Sequence, residues 1–114
     1  MMTADLTDLS EAGLAWTAEH EGVILGIAGL APQWENRALA WALISDAAGP
    51  HFRGIHGAVS RFLEASDFRR IEANVDVGFE AGERWMKLLG FKYEGYLTAF
   101  RPDGADMLMY ARIR

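Results

Sequence analysis

Residues Gly49 to Ala65 read GPHFRGIHGAVSRFLEA, and the meaning of this stretch decides the rest of the chain. An apolar run, Leu39 to Ile44, precedes it as a strand would. Beyond the turn, Ile55, Val59, Phe62 and Leu63 recur at three- and four-residue steps while Arg61 and Glu64 fall on the other side, which predicts a helix to about Ser66. Gly54 and Gly57 sit at the helix entrance. The order is strand, turn rich in glycine and basic residues, helix. It leaves the first backbone N–H groups of the helix without intrahelical partners, with the positive end of the helix dipole behind them. Such an end binds anions, phosphates above all. Glycine matters there because a side chain would hold a pyrophosphate off the backbone, and Arg53 adds a charge beside the same spot. The competing reading is an ordinary loop with a capped helix.

Working outward, Leu14 to His20 and Val23 to Leu30 flank Glu21-Gly22, which is hairpin chemistry. Gly26 and Gly29 within the second run mark a bulge or a close backbone approach. Ala31 to Asn36 is a turn by composition. Leu39 to Ser45 is apolar on both faces and reads as a central strand, with Asp46 to Phe52 as the loop into the helix. Arg70 to Val77 alternates, with Ile71, Ala73, Val75 and Val77 on one side and Arg70, Glu72, Asn74 and Asp76 on the other. A strand that follows a helix that followed a strand implies a right-handed crossover and a parallel pair. Glu80 to Leu89 is a second helix with Ala81, Trp85, Leu88 and Leu89 as its buried stripe, and Gly90 stops it. Phe91 to Phe100 and Met107 to Ile113 are the last strands, joined by Arg101-Pro102-Asp103-Gly104. Ahead of all this, Met1 to Gly13 is polar, and Asp5 to Ala12 is a short helix or part of a loose tail. The expected fold is α/β with a mixed sheet in the order βββαβαββ, one domain over residues 1–114.

Composition narrows the functions. The chain has 114 residues, 51% hydrophobic and 24% charged, the make-up of one globular domain. It has no cysteine, which excludes disulfides and cysteine chemistry and suits a reducing cytoplasm. A net charge of −5 gives no basic face for nucleic acid. Val23 to Ala31, the most apolar stretch, is too short to span a bilayer, and Met1 to Ser10 lacks the layout of a signal peptide. No acidic partner stands at metal-ligand spacing from His51 or His56, so no metal site is expected.

Three places in order resemble the GNAT superfamily, the Gcn5-related N-acetyltransferases. His51 to Glu64, with Arg53-Gly54 and Gly57-Ala58, is similar to that family's acetyl-CoA motif. Arg70 to Val75 looks like its fifth strand. Ala81 to Gly95, ending LLGFKYEG, is similar to its leucine-glycine-phenylalanine and glutamate-glycine signature. The likeness covers roughly residues 14–114. Trp85, Glu94-Gly95 and the last hairpin also resemble the phage and prophage GNAT-like proteins related to T7 internal virion protein 13. The resemblance implies acetyl-CoA as co-substrate and an amine acceptor, small molecule or protein, that attacks the acetyl group directly. It implies that the backbone of Leu43, Ile44 and Ser45 pairs with the pantetheine arm, that the N–H groups of Arg53, Gly54, Ile55, His56, Gly57 and Ala58 hold the pyrophosphate, and that Trp85 lies along the cofactor's far end. The protein positions, polarises the carbonyl and removes a proton.

The sequence departs from the family in three ways. His56 stands where the motif has its second glycine. Met86 stands where a tyrosine often protonates the leaving thiolate. About a dozen residues precede the first strand, too few for the family's opening strand and two helices. Either the acceptor side is open, or a second subunit closes it, or the recorded start is downstream of the true one, and the uncovered apolar surface implies a homodimer. These departures motivate the rival reading, a GNAT-fold phage or prophage component without catalysis.

Glu35, before the central strand, is the carboxylate best placed as general base, with Glu19 and Glu72 as competitors. A solvated turn glutamate is the plainer account. Trp16, Trp41 and Trp85 read as packing, whereas Trp34 in its turn is suited to flank a ligand or a partner. Tyr93 and Tyr96 are the substitute proton donors, against ordinary surface tyrosines.

Overall fold

The computed structural model describes residues 5–8 and 14–114. In chain order its elements are β1 (Asp5–Asp8), β2 (Leu14–His20), β3 (Val23–Trp34), β4 (Arg37–Ile44), a 3-10 helix (Asp46–His51), α1 (Phe52–Ala65), β5 (Arg70–Asp76), α2 (Glu80–Leu88), β6 (Lys92–Leu97) and β7 (Met107–Ile113). The expected α/β order is present with one strand added at its head. The chain divides into two compact units, Met1–Pro32 with Ala40–Asp67, and Gln33–Leu39 with Phe68–Arg114.

In the first unit, β2 and β3 form the expected hairpin. Glu21 and Gly22 both take positive φ, 51° and 80°, the backbone that a two-residue turn needs to match strand twist. The register slips between Ala18, opposite Gly26, and Glu19, opposite Ile24, so Leu25 is an extra residue and β3 is bulged. The reading of Gly26 as a close-approach glycine is correct: a Cβ there would lie 2.8 Å from Ile44 Cδ1 and 3.0 Å from the Leu43 carbonyl. Asp5–Asp8 corrects the expectation of a helix or tail. It is a strand antiparallel to β2, with Asp5 opposite Glu19 and Asp8 opposite Trp16. Pairing satisfies the backbone of an otherwise open β2 edge, a tertiary gain that local composition does not reveal. The other residues of the expected tail lie outside the described residues. The turn expected at Ala31 to Asn36 shrinks to Glu35-Asn36, because β3 continues through Trp34. Pro32 is no obstacle there: it lies past Leu30, the last β3 residue with a β2 partner, and its fixed φ suits an extended chain. The buried apolar side chains of this unit include Ala18, Leu25, Ala28 and Leu30 on the strands and Ile55, Ala58, Val59 and Leu63 on α1. Phe62, expected in the stripe, is half-buried.

In the second unit, the first residues of β4 pair in parallel with β5, Arg37 with Arg70 through Leu39 with Glu72, as the crossover rule requires. Antiparallel β7 then runs along the whole of β5, from Arg70 opposite Ile113 to Asp76 opposite Met107, and β6 pairs with β7. Ala38, Ile71, Ala73, Val75, Leu89, Phe91, Tyr110 and Ala111 are buried. Helix α2 meets β5 at a glycine: a Cβ on Gly82 would lie 2.6 Å from Phe79 Cδ2 and 3.0 Å from Val75 Cγ1. Of the expected stripe, Leu89 is buried and Trp85 half-buried, whereas Ala81 is exposed and Leu88 is 68% exposed. Gly82 lets the helix lie closer to the strand than a side chain would. Gly90, at φ 89°, terminates the helix as expected. Among the described residues no helix is long and apolar enough to cross a membrane.

Candidate cofactor site

Strand β4 offers only one edge to a ligand, and two hydrogen bonds identify it. Ser45 N–H donates to the carbonyl of Leu25 on β3 at 2.9 Å, and Arg70 N–H donates to the carbonyl of Asn36 at 2.9 Å. Along an extended chain the backbone groups of successive residues face opposite edges. Asn36 and Ser45 are an odd number of residues apart and face opposite edges, so the alternation runs unbroken through β4. Leu43 and Ser45 therefore turn their backbone groups toward β3. Ala42 and Ile44 turn theirs the other way. Of the three residues expected to pair with an extended ligand, Ile44 faces the outer edge, whereas Ser45 N–H is already bonded within the protein. Ala42 is the residue the sequence reading left out, and counting alternate residues from a paired carbonyl is the signal that finds it. The side chains of Leu43 and Ile44 are 66% and 40% exposed.

The chain leaves β4 through Ser45 into the 3-10 helix and then α1. Ala48 N–H donates to the Ser45 carbonyl at 3.1 Å, and Phe52 N–H to the carbonyl of Gly49. The first amide of α1 is therefore occupied by the preceding turn. Farther in, each α-helical N–H bonds the carbonyl four residues back, beginning with Ile55 on the carbonyl of the N-cap residue His51, so the amides of Ile55, His56, Gly57 and Ala58 belong to the helix ladder. The amides that head the helix are those of Arg53 and Gly54. No acidic residue stands in the first turn of α1 and no side chain caps it, so neither a carboxylate nor a capping oxygen competes there with an anion. Arg53 is exposed, Gly54 half-buried and Ile55 fully buried.

The ring of His56 stacks on that of Phe52, one turn earlier on the same face, with centroids 6.1 Å apart and planes at 27°. His51, at the N-cap position, lies with its ring 4.6 Å from that of His20, and its Nδ1 is buried without a hydrogen-bond partner among the described residues. Trp85 is half-buried on α2, in the second unit.

The carboxylates differ in exposure and in what they hold. Glu35 is exposed in the turn that opens β4, while Ser45 follows the opposite end of that eight-residue strand. Glu72 is 6% exposed and fully engaged. Arg37 grips it with two bonds, Nε to Oε2 at 2.6 Å and Nη2 to Oε1 at 2.7 Å, and Arg70 Nε adds a third at 2.6 Å. The Arg37 hydrogen bond above all, helped by that of Arg70, outweighs burial and holds the Glu72 carboxyl down at about 2. A group so acidic and so fully bonded is a poor proton acceptor near neutral pH. Arg70 in turn holds Glu94, Nη2 to Oε1 at 2.5 Å, and lowers its pKa. Tyr96 donates to Asp106 at 2.6 Å, and this raises the pKa of Tyr96.

The sequence matches no family model and no curated protein. Solved structures do resemble it. A point mutant of spermidine N-acetyltransferase SpeG from Vibrio cholerae aligns with a TM-score of 0.74 at 18% identity, over 90% of this chain and 66% of that one. The ribosomal-protein-S5-alanine acetyltransferase from Vibrio fischeri aligns with a TM-score of 0.74 at 17% identity, over 90% of this chain and 62% of that one. A GNAT family acetyltransferase from Elizabethkingia anophelis, with acetyl-CoA bound, aligns with a TM-score of 0.74 at 13% identity, over 90% and 77%. The chain thus spans about two thirds of the length of the first two structures. At these identities the likeness is one of fold, and the chain carries the fold of the GNAT acetyltransferases.

Proposed function

We propose that this protein is an acetyl-CoA-dependent N-acyltransferase that moves an acetyl group to an amine, small molecule or protein, by direct attack. The observation that supports it best is the joint between β4 and α1. A strand edge at Ala42 and Ile44 leads through the 3-10 helix to a helix front that carries two leading amides, one arginine and no acidic residue. In this reading the edge receives the pantetheine arm as an added strand would. The N–H groups of Arg53 and Gly54 hold the diphosphate, and the guanidinium of Arg53 adds charge. Acetyl-CoA supplies the activated acetyl group, and the protein's contribution is to hold it still and polarise its carbonyl. A homodimer closing the acceptor side belongs to the same proposal, and light scattering at twice the chain mass checks it.

Because the chain has no cysteine, a thiol reagent reads released CoA directly in the reaction mixture. Calorimetric titration should give an acetyl-CoA Kd of about 10–100 μM, and Gly54→Val should weaken it by about tenfold or more. No heat at about 1 mM cofactor, a concentration where even a −4 kcal/mol complex half-forms, overturns the proposal. The second reading is a GNAT-fold component of a phage or prophage without catalysis. The Phe52 amide tied to Gly49 and the methionine at position 86 favour it. It predicts no CoA release with any amine of a broad panel, and measured turnover that Arg53→Ala abolishes excludes it.

A further inference from the structure

The second unit holds a pocket of about 430 Å³ that the transfer reaction does not use. It lies at the beginnings of β4 and β5, and its walls include Trp34, Arg37, Arg69, Arg70, Glu72 and Ile113. The volume is within the usual range for a small-molecule site.

Trp34 is 64% exposed, yet it is held in place. The guanidinium carbon of Arg37 sits 4.4 Å from the centroid of the indole, covering one face. Arg37 is itself fixed by its double bond pair to buried Glu72, Glu72 by Arg70, and Arg70 by Glu94. A chain of charge-assisted hydrogen bonds thus reaches from the strand interior out to an aromatic ring. With one face backed by Arg37, the ring's other face is left to meet a ligand. A large aromatic side chain held rigid at the surface loses little further freedom when a flat molecule stacks on it. Ile113, 52% exposed, adds a second apolar wall.

Three guanidiniums, those of Arg37, Arg69 and Arg70, line the pocket in a protein of net charge −5. Arg37 and Arg70 spend bonds on the carboxylates of Glu72 and Glu94. Arg69 is exposed, and its Nη1 donates to the main-chain oxygen of Arg114, the last residue of the chain, at 3.3 Å. Its remaining donors are those an incoming anion would meet, in the planar fork that suits a carboxylate or a phosphate.

From this arrangement we infer a ligand site for a small aromatic anion, one flat ring bearing a carboxylate or a phosphate, with the ring on Trp34 and the anionic group on Arg69. The site does not rest on the acetyl-transfer reading. Its test uses the full chain labelled with nitrogen-15, following the indole N–H resonance that disappears in Trp34→Phe. The probes are benzoate and phenyl phosphate, with acetate and inorganic phosphate as anions without a ring and benzyl alcohol as a ring without charge. One or both aromatic anions should shift that resonance saturably with a Kd of about 1 mM or below, and the three controls should bind about tenfold more weakly or less. Arg69→Gln and Trp34→Ala should each weaken the aromatic anion by about tenfold, while their melting curves and acetyl-CoA titrations stay as in the parent, since both side chains are exposed. The site is refuted if neither aromatic anion saturates the resonance by about 10 mM, a tenfold excess over the expected Kd. It is refuted equally if acetate matches benzoate, or if Trp34→Ala binds benzoate as the parent does.

Discussion

Replacing Glu72 by glutamine tests the ion-pair chain that joins β4 to β5. The amide keeps the shape of the side chain and removes its charge, so the change isolates the carboxylate's work. Its magnitude follows from the acidity of the group. Glu72 falls from 4.5 to about 2, about 2.5 units, and at about 1.4 kcal/mol per unit this is about 3 kcal/mol of folding free energy. Breaking a sealed ion pair costs about 3–5 kcal/mol because the surviving charge is stranded. Here the survivors, Arg37 and Arg70, are 26% and 32% exposed, and water recovers part of the loss. The expected destabilisation at pH 7 is therefore about 2–3 kcal/mol, a fall in Tm of about 10 °C for a chain of this size.

The sign with pH is fixed by the same shift. The folded state holds the carboxyl more acidic than the unfolded chain does, so the stabilisation is complete above about pH 4.5 and drains away as pH falls toward about 2. A protonated Glu72 resembles the glutamine, so parent and variant should converge over that interval. Urea denaturation of both proteins at pH 7, 4 and 2.5 measures it. A difference under about 0.5 kcal/mol at pH 7, the level of an ordinary surface change, would refute the reasoning. So would a larger difference that persists unchanged at pH 2.5, which would trace the loss to packing and not to charge.

Other outcomes follow from single contacts. Gly26→Ala places a methyl carbon 3.0 Å from the Leu43 carbonyl, so the end of β4 must move; a loss of about 1–3 kcal/mol and a raised KM for acetyl-CoA are expected in denaturation and rate assays. Tyr110→Phe removes a 2.9 Å bond to Glu83 from a residue 1% exposed and should cost about 1–2 kcal/mol by denaturation. Glu35→Gln should leave kcat/KM within about threefold, since general-base loss costs about a hundredfold or more; a hundredfold fall would restore the turn glutamate as the base.

What the sequence discloses here follows from what is local. Periodicity places α1, β5 and β7, and Glu21-Gly22 and Gly90 mark their turn and stop because positive φ is a property of one or two residues. The strand at Asp5–Asp8 is invisible because its reason to exist is a partner strand. Gly82 hides among ordinary helix residues, since only the distance to Phe79 and Val75 explains it. Glu72 reads as an outward residue of an alternating strand. Its burial depends on Arg37, 35 positions away, and no local window contains that pair. Trp34 is recognisable as an exposed aromatic suited to a ligand, but the arginine that backs it is not.

The helix front is also narrower than the motif suggests. A glycine-rich motif that enters a helix marks six residues, but hydrogen-bond arithmetic leaves two amides. The preceding 3-10 helix takes the first of α1 and the helix ladder takes those from Ile55 onward. The strand edge shows the same economy, with Ile44 and Ala42 outward and Ser45 tied to Leu25. A ligand that follows this edge and then reaches the helix front must bridge from Ile44 past the 3-10 turn to Arg53. This separates two kinds of substitution. A change at Gly54 alters the anion grip alone and should act on cofactor affinity whatever group is being transferred. A change at Gly26 displaces the strand that sets the thioester's position and should alter kcat as well as KM. If both substitutions change KM alone, the strand edge is not where the reacting end of the cofactor lies, and the assignment of Ala42 and Ile44 fails while that of the helix front stands.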